Sequence, residues 1–171
     1  MISNASPLIF FSKINKLDLL CTVFPQIIIS REVFIEVVQR GESRPDAVLI
    51  EKYIKQGNII INDLVLKYQT IASQLVARYT SLDRGEAETI ALALQKKENE
   101  VLMDDSAGRK VAELNNLLPS GSLRVLLLAF QRALISKEDT LKIMKMLIDA
   151  GLYLGAEVVE RFYEVLDTIR R

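Results

Sequence analysis

Val101-Leu102-Met103-Asp104-Asp105 is an apolar run that ends abruptly in two carboxylates. The run, extended back to Glu100, predicts a short strand buried on both faces, with the doublet at its carboxyl end. Just before it, Asp83 to Lys97 carries Ala87, Ile90, Ala91 and Leu94 on one side, the spacing of a helix packed closely on a sheet. The chain would run down this helix and back up the strand. That path puts Glu86, in the helix's first turn, at the same end of the sheet as Asp104.

The same alternation extends outward in both directions. Met1 to Asn4, Gln26 to Ile29 and Ile59 to Ile61 read as further short strands, and Leu117-Leu118 as a short fifth one. Ser6-Pro7 has the form of an N-cap followed by proline at the first helical position. Helices are expected over 8–14, 17–24 and 30–39, the last with Val33, Val37 and Val38 on one face. Gly41 to Pro45 reads as a polar turn. Further helices follow over 46–56, 66–78, 106–114, 123–133, 137–150 and 156–169. The last carries an apolar stripe of Val158, Phe162, Val165, Leu166 and Ile169, suited either to the core or to a dimer interface. Short apolar strands alternating with helices predict an α/β protein with a mainly parallel sheet covered on both faces. One domain over residues 1–171 is expected, with a helical C-terminal extension from about residue 135.

Composition narrows the chemistry. The 171 residues include no histidine and one cysteine, Cys21. That excludes Ser-His-Asp and Cys-His triads, histidine general bases and zinc sites of the HExxH or multi-cysteine kinds. Lysine plus arginine equals aspartate plus glutamate at 22 each, so nucleic acid would have to be met by a local basic surface. A single cysteine suits a reducing compartment, and Pro7 to Phe11 is too short for a signal peptide or a membrane span. A cytoplasmic protein without a membrane partner is expected. Carboxylates holding a hard cation are the best catalytic candidates left.

In an open parallel sheet, ligands bind beyond the carboxyl ends of the strands. Asn4 and Asp104-Asp105 lie at such ends, and Glu86 returns there. Crowded carboxylates repel one another unless a cation neutralises them. Each residue also has a purely structural reading. Asp83-x-x-Glu86 fits a capping box, and either Asp104 or Asp105 could cap the next helix, although only one cap is needed. Glu36 could be a solvated helix residue, and Glu88, two positions from Glu86, reads as surface or at most supporting. Arg109 could pair with Asp105 at i, i+4 or meet a phosphate; Ser122 could cap a helix or bind a phosphate there. Cys21 reads as core packing.

Taken in order, these segments resemble PIN-domain proteins. Ile2-Ser3-Asn4-Ala5-Ser6-Pro7-Leu8-Ile9 is similar to their opening, usually Asp-x-Ser before apolar residues. Glu36 in Ser30-Arg-Glu-Val-Phe-Ile-Glu36-Val matches their second acid, Gly85-Glu86-Ala87-Glu88 the helix carrying the third, and Met103-Asp104-Asp105 with Gly108-Arg109 the fourth. Ser120-Gly121-Ser122 and the Gly151-Leu-Tyr-Leu segment resemble a branch related to VapC toxins. The resemblance implies a three-layer α/β/α sandwich and a metal-dependent ribonuclease hydrolysing RNA phosphodiester bonds. Asn4, Glu36, Glu86 and Asp104 would surround Mg²⁺ or Mn²⁺, with Asp105 an alternative or additional ligand. Glu86 and Asp104 would be the principal ligands, Glu36 would hold a metal-bound water, and Ser6 would support Asn4 or that water. Family analogy also implies a homodimer and an antitoxin protein as partner. Asn4 stands where most active members carry aspartate, which removes one negative charge. The competing reading is therefore a catalytically weakened module that binds RNA or a protein.

Overall fold

The computed structural model describes residues 1–41 and 43–169. Its centre is a parallel sheet of β1 (Ile2–Ser3), β2 (Ile27–Ser30), β3 (Ile59–Asn62), β4 (Glu100–Leu102) and β5 (Leu118–Ser120), in the order β3-β2-β1-β4-β5. Every adjacent pair is parallel. The strands are short and mainly apolar, and the central ones are sealed between two helical layers; Ile2, Ile27, Ile29, Val101 and Leu102 are fully buried. β5 contains Pro119, which lacks a ladder N–H and is accepted because β5 is an edge strand. The fifth strand begins at Leu118, one residue later than expected, and runs two residues further, to Ser120.

Helices pack on both faces. On one, α5 (Leu66–Arg78), α6 (Arg84–Lys96) and α7 (Ser106–Leu114) enclose a core of Leu75, Ala87, Ile90, Ala91, Val111 and Met103. On the other, α1 (Ala5–Lys13), α2 (Leu17–Val23), α4 (Pro45–Lys55), α8 (Ser122–Gln131), α9 (Lys137–Asp149) and α10 (Ala156–Thr168) surround Leu8, Phe11, Ile50, Leu126 and Leu147. This is the three-layer α/β/α sandwich. In α10 the stripe turns mainly inward: Phe162 and Leu166 are buried in that core, while Val158 stays exposed. Among the described residues no helix is long and apolar enough to cross a membrane.

Two local features differ from the sequence expectation. The segment expected as one α-helix over 30–39 is α3 (Arg31–Phe34), capped by the Ser30 hydroxyl, running into a π-helical turn over Ile35–Gln39. Such turns widen the helix by one residue and often mark functional positions; this one carries Glu36. At the N-terminus the helix begins earlier than expected. Asn4, not Ser6, is the N-cap residue, and Pro7 lies third in α1. Proline is tolerated anywhere in a first turn, whose N–H groups have no intrahelical partner. The turn expected over 41–45 includes Glu42, which is outside the described residues; Pro45 already opens α4.

Candidate functional site

The sheet order makes β1 and β4 neighbours at the point where the chain's winding reverses. From β1 the chain proceeds to β2 and β3 on one side; from β4 it proceeds to β5 on the other. Strands diverging in this way leave a crevice beyond their carboxyl ends. Ser3 pairs with Leu102, and the Asn4 N–H donates to the Leu102 carbonyl at 3.0 Å, so Asn4 leaves the sheet beside Met103-Asp104. Asn4 is 3 % exposed, and its side-chain oxygen is buried without a hydrogen-bond partner. A polar atom left so costs about 1–3 kcal/mol, and the Asn4 oxygen is a donor available to a cation at this point.

Glu86 sits beside this crevice in the first turn of α6. The capping box is real: Asp83 Oδ1 accepts from the Glu86 N–H at 2.7 Å, and Glu86 Oε2 accepts from the Asp83 N–H at 3.0 Å. Capping does not account for the whole side chain. Glu86 is 5 % exposed, and burial raises its carboxyl to about 7. The Asp83 N–H bond opposes that rise, whereas the charges of Asp83 and Asp105 and a hydrogen bond shared with Asp105 add to it. Space for the Glu86 carboxylate exists only because residue 108 is glycine; a Cβ there would stand 2.7 Å from Glu86 Oε1 and 2.6 Å from Met103 Sδ.

Glu36 reaches the same helix start from the π turn. A Cβ on Gly85 would come within 3.0 Å of Glu36 Oε2 and 3.4 Å of Asp83 Oδ1. Burial raises the Glu36 carboxyl, helped by the charges of Asp83 and Glu32 and opposed by Arg40. Asp83 thus faces both Glu36 and Glu86. Sequence reading took it for a cap alone, and its position one turn before Glu86 was the only available hint.

The aspartate doublet divides its work. Asp105 caps α7, its Oδ1 accepting from the Ala107 and Gly108 N–H groups at 2.7 and 3.0 Å, while its charge also faces Glu86. Asp104 turns toward β5. Its Oδ1 accepts from the Ser122 N–H and its Oδ2 from the Ser122 hydroxyl, both at 2.7 Å. Burial raises the Asp104 carboxyl; the Ser122 bonds and the Arg109 charge act the other way. Ser122 therefore neither caps α8, which begins after Gly121, nor offers a free hydroxyl to phosphate; it holds Asp104. Arg109 faces Asp104 rather than pairing with Asp105. Ser6 is half-buried in the first turn of α1, and among the described residues no hydrogen bond ties it to the acids.

Of the two readings of Glu88, surface or supporting, the structure shows the supporting one. The side chain is 12 % exposed, and Oε2 accepts from the Glu32 N–H at 3.1 Å, fixing α3 against α6. Glu32, missed by sequence reading, is buried and accepts from Arg40 Nη2 at 2.6 Å. Cys21 is buried, and burial pushes its thiol to about 12, as core packing requires.

Taken together, Glu36, Asp83, Glu86 and Asp105 form a row of neighbouring acids, with Asn4 and the Asp104–Arg109–Ser122 group at the adjoining strand ends. Among the described residues no three carboxylates or thiols converge as a ready-made metal cage. The donor set is nonetheless all oxygen and suits a hard cation; Mg²⁺ commonly takes only one or two carboxylates and keeps several waters. Glu86 with Asp105 supplies such a pair, and the orphaned Asn4 oxygen a neutral third donor.

A doubly wound α/β/α domain with acids at its switch point defines the class. A family model described as PIN domain matches residues 1–168, and the chain belongs to that family. PIN domains are in general nucleases that use divalent metals. Neither the curated proteins nor the solved structures gave a match.

Proposed function

We propose that this chain is a Mg²⁺- or Mn²⁺-dependent ribonuclease. The observation that carries the reading is Glu86: a carboxyl with a burial-raised pKa, beside Asp105 and Asp83, at the switch point of a PIN domain. Such a group is costly without a counter-charge and is relieved by a cation. Glu86 and Asp105 would hold the metal with the Asn4 oxygen, and Asp104, clamped by Ser122, would complete the rim. When bound, the metal supplies positive charge to a phosphodiester and lowers the pKa of water. Glu36, with its raised pKa, would accept a proton there, and Arg109 beside Asp104 would receive a phosphate oxygen. On family analogy we extend the proposal to a toxin that acts in the cytoplasm as a homodimer and is restrained by an antitoxin protein.

A second reading, a PIN module that binds RNA or protein without cutting, is favoured by two observations. Asn4 lowers the site's charge, and Ser122 already occupies both Asp104 oxygens. One experiment separates the two. For the enzyme, Mn²⁺ raises the melting temperature by preferential binding to the folded state, and RNA is cleaved only with metal. Asp104→Ala abolishes that cleavage. Cleavage that persists in EDTA removes the metal site from the reaction, and cleavage that persists in Asp104→Ala removes Asp104 from it; a Mn²⁺-stabilised protein that binds RNA but leaves it intact supports the second reading.

A further inference from the structure

An open groove of about 600 Å³ runs between the start of α3, the β3–α5 connection and the α5/α6 pair. It has an ion pair at each end. At one, Arg31 Nε donates to Asp63 Oδ1 at 2.9 Å and Nη2 to Oδ2 at 3.3 Å. At the other, Arg84 Nε stands 3.5 Å from Glu88 Oε1 and 3.6 Å from Glu32 Oε2. Arg84 precedes Glu86 by two residues and Glu88 follows it by two, so this end of the groove adjoins the row of acids. Nothing in the acid site itself uses Arg31, Gln69 or Ser73.

We propose that this groove carries the RNA strand away from the acids, with Arg84 and then Arg31 meeting successive phosphates. The inference rests on the ribonuclease reading above and adds where the strand lies. Both guanidiniums keep donors for a phosphate. Arg31 commits two of its five N–H groups to Asp63, and Arg84 approaches its carboxylates only loosely through Nε, its side chain 73 % exposed. The walls offer acceptors for base edges. Gln69 Nε2 donates to the Leu64 carbonyl, leaving the amide oxygen free to accept, and Ser73 Oγ donates to the Gln69 carbonyl while retaining lone pairs. The floor argues against a protein occupant. Leu64 and Ala72 are already 7 % and 5 % exposed and Val76 alone offers the wall an exposed apolar side chain, so a protein would bury one such side chain and meet charges at both ends. Nucleic-acid interfaces are polar and tolerate such a lining. Since Asp63, Glu88 and Glu32 face the two arginines, the groove carries no net positive field and the contribution is local, about one phosphate per arginine.

The test uses the full chain, Mn²⁺ and a single-stranded oligoribonucleotide long enough to fill the groove, with kcat and KM measured over a range of salt. Arg31→Gln removes one phosphate contact at an exposed pair. Ser73→Trp fills the groove from an exposed helix position without changing charge. Expected results are a KM raised about three- to tenfold in each, with kcat within about twofold. The log–log salt slope should shrink by about 0.7 in Arg31→Gln and stay unchanged in Ser73→Trp. Both should keep the wild-type melting temperature and its Mn²⁺ shift. Wild-type cleavage with KM and slope unaltered in both variants overturns the groove and leaves the ribonuclease standing; if Ser73→Trp then also loses a co-purifying protein, the groove is a protein-docking face. Absence of RNA binding and cleavage by the wild type overturns both.

Discussion

Ser122 holds both oxygens of Asp104, its backbone N–H on Oδ1 and its hydroxyl on Oδ2, each at 2.7 Å. The carboxylate caps α8 from outside that helix, and Gly121 permits the approach, since a Cβ there would lie 2.8 Å from Oδ1. One residue thereby fixes an acid of the site and joins β4 to the start of α8.

Removing the hydroxyl separates these two tasks. Ser122→Ala keeps the backbone bond and loses the one to Oδ2. A hydrogen bond to a charged group is worth about 1.5–3 kcal/mol, so urea unfolding should report a loss of that order. Metal-dependent cleavage should fall further than stability alone requires, because Asp104 is then held through Oδ1 alone. Ser122→Thr, which restores a hydroxyl, should recover part of both. Unchanged stability would mean that the hydroxyl contributes nothing net.

Glu86 makes the metal-free protein pH-sensitive. Its carboxyl is raised from 4.5 to about 7 in the fold. The stability held by the protonated form is fully present below pH 4.5 and is lost as pH rises through about 7. The shift corresponds to about 3 kcal/mol if it is wholly expressed. Chemical denaturation in EDTA should show stability from this group declining over that window, and Glu86→Gln should flatten the decline. Mn²⁺ affinity in the wild type should rise over the same range as the carboxylate forms. A Glu86→Gln profile that parallels the wild type would count against the raised pKa.

Gly108→Ala is a steric probe of the same carboxylate. The new methyl would meet Met103 Sδ at 2.6 Å and Glu86 Oε1 at 2.7 Å. Both are side-chain atoms able to move, so the fold should survive at a cost of about 1–3 kcal/mol. Glu86 is then pushed from its place beside Asp105, and Mn²⁺ affinity by calorimetry should drop about tenfold or more. Wild-type affinity in a folded Gly108→Ala protein would show that Glu86 is not a ligand.

The legibility of this chain varies with the range of the interaction concerned. Ile27-Ile28-Ile29, Ile59-Ile60-Ile61 and Val101-Leu102 declare themselves as strands because only a doubly covered sheet accepts such runs. The Asp83–Glu86 capping box is local and equally readable. The π turn under Glu36 is not, since one extra residue in a turn leaves the apolar spacing of Val33, Val37 and Val38 almost unchanged. Asp104 and Asp105 are adjacent and chemically alike; the α7 cap falls to Asp105 because Asp104 is drawn away by its tertiary contact with Ser122. Glu88 reads as surface or at most supporting by helical spacing, and which of the two holds appears only when α3 arrives with its Glu32 N–H.

Asn4 gives the sharpest test, because the departure from the usual aspartate coincides with a buried oxygen that lacks a partner. Asn4→Asp puts a charge into a site 3 % exposed, alongside Asp104 across the β1–β4 ladder. Without metal the added carboxylate must either ionise in a poorly solvated place or take a proton, so the EDTA protein should be less stable by about 1–3 kcal/mol. With Mn²⁺ the same charge becomes an advantage. Metal affinity should rise about tenfold or more, and the metal-induced increase in melting temperature should exceed that of the wild type. These opposite signs cannot both arise from a packing defect, which would lower stability with or without metal. Equal destabilisation in both conditions would show that the Asn4 oxygen does not face a cation, and the metal proposal would then have to stand on Glu86 and Asp105 alone.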